Sequence, residues 1–283
     1  MKAISRFAFC ISATALFALA SISYGQGAAV ADVPPKKNTA IEPATRPGNW
    51  MQRHEKINER AKQGDVDLLF IGDSITDGWQ GGGKEVWQKY YGNRKAMNAG
   101  IGGDKTQHVI WRLDNGNIDG IKPKLAVLMI GTNNSGGKEN TAEEIGEGIT
   151  TIVKRLRDKL PETKVLILAI FPRGPMSDVQ LERAATQNGK KKIEDADMPA
   201  AKAAALENTK IQRKKNADAS AIAAKLADNK MVFFMDINDK FLKPDGELPN
   251  DIMPDLLHPN PKGYEIWAEA IEPKIAELLG EKK

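Results

Sequence analysis

The chain of 283 residues carries 41 Lys and Arg against 37 Asp and Glu, a net charge of +4, with 41 % apolar and 28 % charged residues. That balance belongs to a soluble globular protein of one large or two small domains and excludes a fibrous or largely disordered chain. A charge so close to neutral also argues against a nucleic-acid partner, which would need a broad basic surface.

At the N-terminus Lys2 and Arg6 precede an apolar stretch from Phe7 to Ile22, followed by the small-residue segment Ser23-Tyr24-Gly25. This order predicts a secretory signal over residues 1–25, with Ala29-Val30-Ala31 as a second candidate cleavage site. The competing reading is an uncleaved membrane anchor, which the moderate length and the Ser and Thr content disfavour. The expectation is therefore a secreted or periplasmic protein with no stable membrane insertion after cleavage. Cys10, the only cysteine, lies inside the apolar run, so the mature chain would have no disulfide and no cysteine nucleophile. Residues 26–50, rich in Ala and Pro and without an apolar period, predict a flexible linker. The domain proper is expected over 51–283.

From Asp65 onward, apolar runs of strand length alternate with stretches of helical period, the pattern of strand–helix units around a parallel sheet. The expected strands are Val66 to Ile71, Ala96 to Ala99, Leu125 to Ile130, Lys164 to Ile170 and Met231 to Met235. Their unbroken apolar character implies burial on both faces. The fold class predicted is thus α/β, a three-layer α/β/α sandwich with a five-stranded parallel sheet. A helix is expected from Thr141 to Leu160, with Thr141 and Glu144 as a capping box and Pro161 ending it. Between Phe171 and Met231 lie Lys190-Lys191-Lys192, the alanine-rich Ala200 to Ala205, and Arg213-Lys214-Lys215. High helix propensity from Pro199 to Leu226 predicts at least one long exposed helix there. Glu194, Asp195 and Glu207 intersperse the cations, which reads as a solvated face rather than a patch for an anionic polymer. A last helix is expected from Pro261 to Leu279, kinked at Pro273.

Three short motifs supply chemistry. Gly72-Asp73-Ser74 and Gly131-Thr132-Asn133-Asn134 each follow an apolar run, and Asp255 stands three residues before His258. In an open parallel sheet, loops beyond the carboxyl ends of strands converge, so motifs at two strand exits can meet. A serine hydroxyl needs a base and a group that orients the base. Of the three histidines, only His258 has a carboxylate at useful local spacing; His54 lies in a charged segment and His108 in the helical run Thr106 to Leu113. The candidate catalytic residues are therefore Ser74, His258 and Asp255. The Ser74 and Gly103 amides and the Asn133 side chain are the candidate oxyanion donors, and glycine at 102 and 103 allows close backbone approach to a ligand.

On these blocks the chain resembles the SGNH, or GDSL-like, family of serine esterases and lipases from Asp65 to Leu279. The resemblance implies a flavodoxin-like fold with Ser74 as nucleophile. It likewise implies that Gly103, in Asn98-Ala99-Gly100-Ile101-Gly102-Gly103-Asp104, and Asn133 line the oxyanion hole, and that Asp255 and His258 complete the triad. Gly102 to Leu113 and Phe171-Pro172-Arg173-Gly174 are most similar to the catalytic subunits of platelet-activating-factor acetylhydrolase type Ib, which remove short acyl groups, chiefly acetyl. The Lys- and Ala-rich stretch near 186–217 departs from those subunits as an insertion. The implied substrate is a small-molecule or glycan ester, with an acetylated carbohydrate first and a phospholipid second; no cofactor or metal is implied, and a homodimer is compatible. The absence of Gly-x-Ser-x-Gly argues against the α/β-hydrolase nucleophile elbow.

Two other readings compete. Asp73, Asp77, Asp104 and His258 could be imagined as metal ligands, but paired histidines at ligand spacing are lacking. A passive glycan-binding module would use Trp79, Trp87 and Trp111, which read better as packing residues.

Overall fold

Five apolar runs become five short parallel strands in a computed structural model that describes residues 36–187 and 192–281. They are β1 (Leu68–Gly72), β2 (Ala96–Gly100), β3 (Leu125–Met129), β4 (Lys164–Leu168) and β5 (Val232–Met235), in the order β2-β1-β3-β4-β5. Every pairing is parallel, with Leu68 opposite both Ala96 and Leu125. Strand order reverses between β1 and β3, and ligands of open parallel sheets bind at such a switch point.

The two-sided burial expected of these runs divides cleanly by residue parity. Leu69, Ile71, Ala126, Leu128, Val165 and Ile167 enter one core, while Leu68, Phe70, Leu125, Val127, Leu166 and Leu168 enter the other. Side chains two apart along a strand share a face, so each strand feeds both layers. The first core is closed by α1 (Trp50–Lys62), α4 (Thr106–Asp114), α6 (Ala142–Lys159) and the end of α8 (Met198–Ala224). The second is closed by α3 (Lys84–Tyr91) and α9 (Pro261–Leu279), around Trp79, Tyr91, Tyr264 and Trp267. This is the expected three-layer α/β/α sandwich.

The capping box of α6 forms as predicted. Thr141 Oγ1 accepts from the Glu144 amide at 3.2 Å and Glu144 returns a carboxylate to the Thr141 amide at 2.9 Å. α9 runs on through Pro273 as one helix, although proline removes a backbone donor there. The Lys- and Ala-rich stretch holds the end of α7 (Asp178–Gln187) and most of α8, whose last turns pack Ala219 and Ala223 into the core.

The expected signal, residues 1–25, and the first part of the expected linker, to residue 35, lie outside the described residues. The rest of that linker is corrected by the structure: residues 38–50 are packed, not free. Asn38 caps a 3-10 turn (Thr39–Ile41) and donates to Glu147 at 2.6 Å, and Ala40 is fully buried. The Ala40 carbonyl accepts from Thr106 Oγ1 at 2.7 Å, and the Ala44 amide donates to the Gln107 carbonyl at 3.2 Å. The segment lacks an apolar period because single polar groups, not a hydrophobic face, fasten it to α4 and α6.

Candidate active site

Ser74 opens a one-turn helix, α2 (Ser74–Asp77), directly beyond β1. The turn is possible because residue 72 has no side chain: a β-carbon there would lie 2.1 Å from Thr76 Oγ1 and 2.4 Å from the Met129 carbonyl. Asp73 caps the turn by accepting from the Ile75 amide at 3.0 Å. The Ser74 amide is first in its helix, a position without an intrahelical acceptor.

The loop before α9 delivers the second half. Ser74 Oγ lies 2.8 Å from His258 Nε2, and His258 Nδ1 lies 2.6 Å from Asp255 Oδ2. Asp255 Oδ1 also accepts from the amides of Leu257, at 3.0 Å, and His258, at 2.7 Å. This tight bend forces Leu256 to φ 57°, a left-handed conformation rare for a bulky residue. The Gly174 amide steadies it by donating to the Leu256 carbonyl at 2.7 Å.

Burial alone would raise the pKa of Asp255. The hydrogen bonds from the His258 ring and amide, the imidazole charge and the Leu257 amide outweigh burial and bring it down to about 2. An ionised carboxylate only accepts, so His258 Nδ1 donates to it, and a neutral ring leaves Nε2 to accept the Ser74 hydroxyl proton. The two side chains remain 41 % and 38 % exposed, so the site is open at the surface.

A β-carbon on Gly102 would lie 3.9 Å from Ser74 Cβ, so this turn passes beside Ser74, and Gly103 and Asn133 meet through Asp104. Gly103 has φ +76°, and a β-carbon there would lie 2.7 Å from the Arg46 guanidinium. Asn133, on the short helix α5 (Thr132–Ser135) beyond β3, donates from Nδ2 to the Asp104 carbonyl at 2.8 Å. One N–H of that amide is thus engaged and a second remains. The Asp104 carboxylate is buried and accepts from Trp50 Nε1 at 2.7 Å, Arg112 Nε at 2.8 Å and Arg46 Nη1 at 3.3 Å. No pattern in the sequence pointed to Arg46 or Trp50, because each meets Asp104 through a single side chain, and Arg112, inside the Gly102 to Leu113 block, was given no role there.

Asp73 differs from Asp255 in kind. Burial above all, then the charge of Asp104, raises its carboxyl to about 7 against the pull of the Ile75 amide, His258 and Arg173. Its Oδ2 has no hydrogen-bond partner.

The remaining histidines are engaged elsewhere. His108 Nδ1 accepts from the Lys105 amide at 2.9 Å, and burial followed by the charges of Arg46, Lys105 and Arg112 lowers its pKa to about 3. Although Asp104 lies 3.8 Å from this ring, the imidazole is neutral and the contact is not an ion pair. His54 stacks on Trp50 and bonds Asn58 and Asn117. The imagined metal ligands disperse: Asp77 pairs with Arg53 and Asp104 with Arg112. Among the described residues no three His, Cys, Asp or Glu side chains converge as a metal group. Trp79 is buried in the aromatic cluster of the second core, and Trp111 packs on Trp50 and His54.

The profile of the GDSL-like Lipase/Acylhydrolase family matches residues 70–266. The chain is 33 % identical over 232 residues to the alpha2 subunit of platelet-activating factor acetylhydrolase IB of Rattus norvegicus, covering 82 % of this chain and 86 % of that protein. It is 30 % identical over 246 residues to the alpha1 subunit of Bos taurus, covering 87 % and 90 %. Among solved structures, a GDSL-like lipase from Bacteroides thetaiotaomicron superposes with a TM-score of 0.56 at 19 % identity, over 80 % of this chain and 97 % of that one.

Proposed function

The chain belongs to the GDSL-like lipase/acylhydrolase family and is a carboxylic ester hydrolase; from that premise we propose that it is an exported serine esterase removing acetyl groups, first of all from acetylated carbohydrate. One observation carries the catalytic part of this reading: the 2.8 Å contact of Ser74 Oγ with His258 Nε2, backed by Asp255 at 2.6 Å.

In the proposed reaction Ser74 Oγ attacks the ester carbonyl as His258 Nε2 takes its proton. Asp255 holds the ring and balances the charge it gains. The carbonyl oxygen becomes an oxyanion beside the Ser74 and Gly103 amides and the free N–H of Asn133, each such donor being worth about 3 kcal/mol. Collapse expels the alcohol, which receives the proton from His258, and leaves an acyl group on Ser74. Water, deprotonated by His258, then releases the acid.

The openness of the site suits an ester carried on a bulky polymer, because nothing needs to be engulfed. The acetylhydrolase relatives favour acetyl and supply the second reading, an acetyl ester of a phospholipid. Turnover of p-nitrophenyl acetate, acetylated xylan, acetylated sugars and short-chain phospholipid by the purified protein separates the two. Faster acetate release from the carbohydrates supports the first, and release from phospholipid alone overturns it. Export is tested by the mature N-terminus, expected after Gly25.

A further inference from the structure

Both proposed oxyanion donors of the loop side depend on one residue. The Asp104 amide donates to the Ile101 carbonyl at 3.2 Å, closing the turn that carries Gly103, and the Asp104 carbonyl accepts from Asn133 at 2.8 Å. Moving Asp104 therefore moves the Gly103 amide and the Asn133 side chain together.

Its carboxylate is clamped from two sides. Arg112, fully buried on α4, holds one oxygen at 2.8 Å and reaches the Gly72 carbonyl, just before the nucleophile turn, at 3.3 Å. Trp50 and Arg46, from the segment expected to be a linker, hold the other oxygen at 2.7 and 3.3 Å. Arg46 Nη1 makes its shorter contact, 2.5 Å, with the Gly102 carbonyl, and its guanidinium covers the face of Gly103. One guanidinium already balances the buried carboxylate, so charge neutrality does not require a second. The additional donor, 31 % exposed, fastens the backbone of the turn itself.

We propose that Arg46 and Trp50 are positioning residues for the oxyanion hole: residues 38–50 form a strap that fixes the Gly102–Asp104 turn and, through Asp104, the Asn133 amide. This rests on the esterase reading above. The chemistry favours the assignment because donors stabilise an oxyanion only if they are held where its charge develops, and misplacement by about 1 Å from a distant change can cost about 100-fold in rate. Among the described residues no hydrogen bond or ion pair joins the strap to Ser74 or His258, so it should act on the transition state and not on the activation of Ser74.

The test uses the full chain with Arg46→Met, Arg46→Lys and Trp50→Phe, assayed with p-nitrophenyl acetate alongside thermal melting. Arg46→Met should lower kcat by about 10-fold to 100-fold with KM changed by less than about 2-fold. Arg46→Lys should recover part of the loss, since an ammonium can donate to the Gly102 carbonyl as Nη1 does but lacks the planar guanidinium that covers Gly103. Trp50→Phe, which removes one donor and keeps the ring, should lower kcat in the same direction and carries the test should Arg46→Met not fold. Unchanged kcat in folded Arg46→Met and Trp50→Phe overturns the proposal, as does an equal loss with Lys and Met. A wild-type protein inert toward every ester would remove the esterase reading instead. Hydrogen exchange of the Gly102–Asp104 amides then still decides: faster exchange in Arg46→Met supports the strap, and unchanged exchange overturns it.

Discussion

Residues 38–50 precede the alternating strand–helix frame, whereas the arm made of α7 and α8 lies in the crossover from β4 to β5, and the two behave in opposite ways. The strap shows no period and low helix propensity, yet it buries Ala40 and reaches the Gly102–Asp104 turn with Arg46 and Trp50. Helix propensity is high from Pro199 to Leu226, and the arm folds accordingly, with α8 spanning 27 residues. Even so, Val179, Leu206 and Ile211 are exposed, and its lysines pair close by, Lys210 with Glu207 and Lys214 with Asp218. Its ties toward the site are few: Arg213 to the Arg173 carbonyl and Gln180 to the Asp255 carbonyl. Propensity reports how a segment folds locally. Which segment holds the chemistry is decided by single polar contacts that leave no pattern.

The contrast is sharpest at Asp104. Replacing it by Asn keeps the volume but strips the buried Arg112 of its counter-charge, and such an unpaired buried charge costs about 3–5 kcal/mol. Denaturant unfolding of Asp104→Asn should show a loss of that order, with kcat falling as well. A loss below about 1 kcal/mol with full activity would reduce the strap to decoration.

Asp73 gives a pH-dependent test beside Ser74. Its carboxyl ionises near 3.8 when exposed but at about 7 in the fold, chiefly through burial. Between these values the unfolded chain has released a proton that the folded chain keeps, so stability declines as pH rises through that window and levels off above it. Melting temperatures from pH 4 to 8 should fall less steeply for Asp73→Asn than for wild type. Parallel curves would mean that Asp73 is ionised throughout.

The smallest effects are expected on the arm. Lys202, Lys210 and Lys214 make only exposed ion pairs, which are worth about 0–1 kcal/mol. Replacing the three by Ala should leave kcat unchanged and stability within about 1 kcal/mol. A large loss of activity would transfer to the arm the role assigned to the strap.

The frame was legible in the sequence because each strand is a short apolar run bounded by turn residues, and because burial on both faces is written as an unbroken run in Leu125 to Met129. The α6 cap was legible because Thr141 and Glu144 interact within three residues. Asp255 and His258 could be paired for the same local reason. Their meeting with Ser74, 184 residues away, followed only from the convergence of loops at one edge of a parallel sheet. The strap was not legible: Arg46 to Gly102 and Trp50 to Asp104 join positions more than fifty residues apart through one side chain each. The burial that raises Asp73 likewise depends on what packs around it, which Gly-Asp-Ser does not specify.

The central claim is that the hydroxyl of Ser74 is the acyl acceptor, and the direct measurement is turnover of p-nitrophenyl acetate by folded Ser74→Ala protein. Removing a nucleophile of this kind costs on the order of 10⁴-fold or more in kcat, so the variant should be close to inert, with its melting temperature preserved. Turnover equal to wild type in that variant would contradict the account.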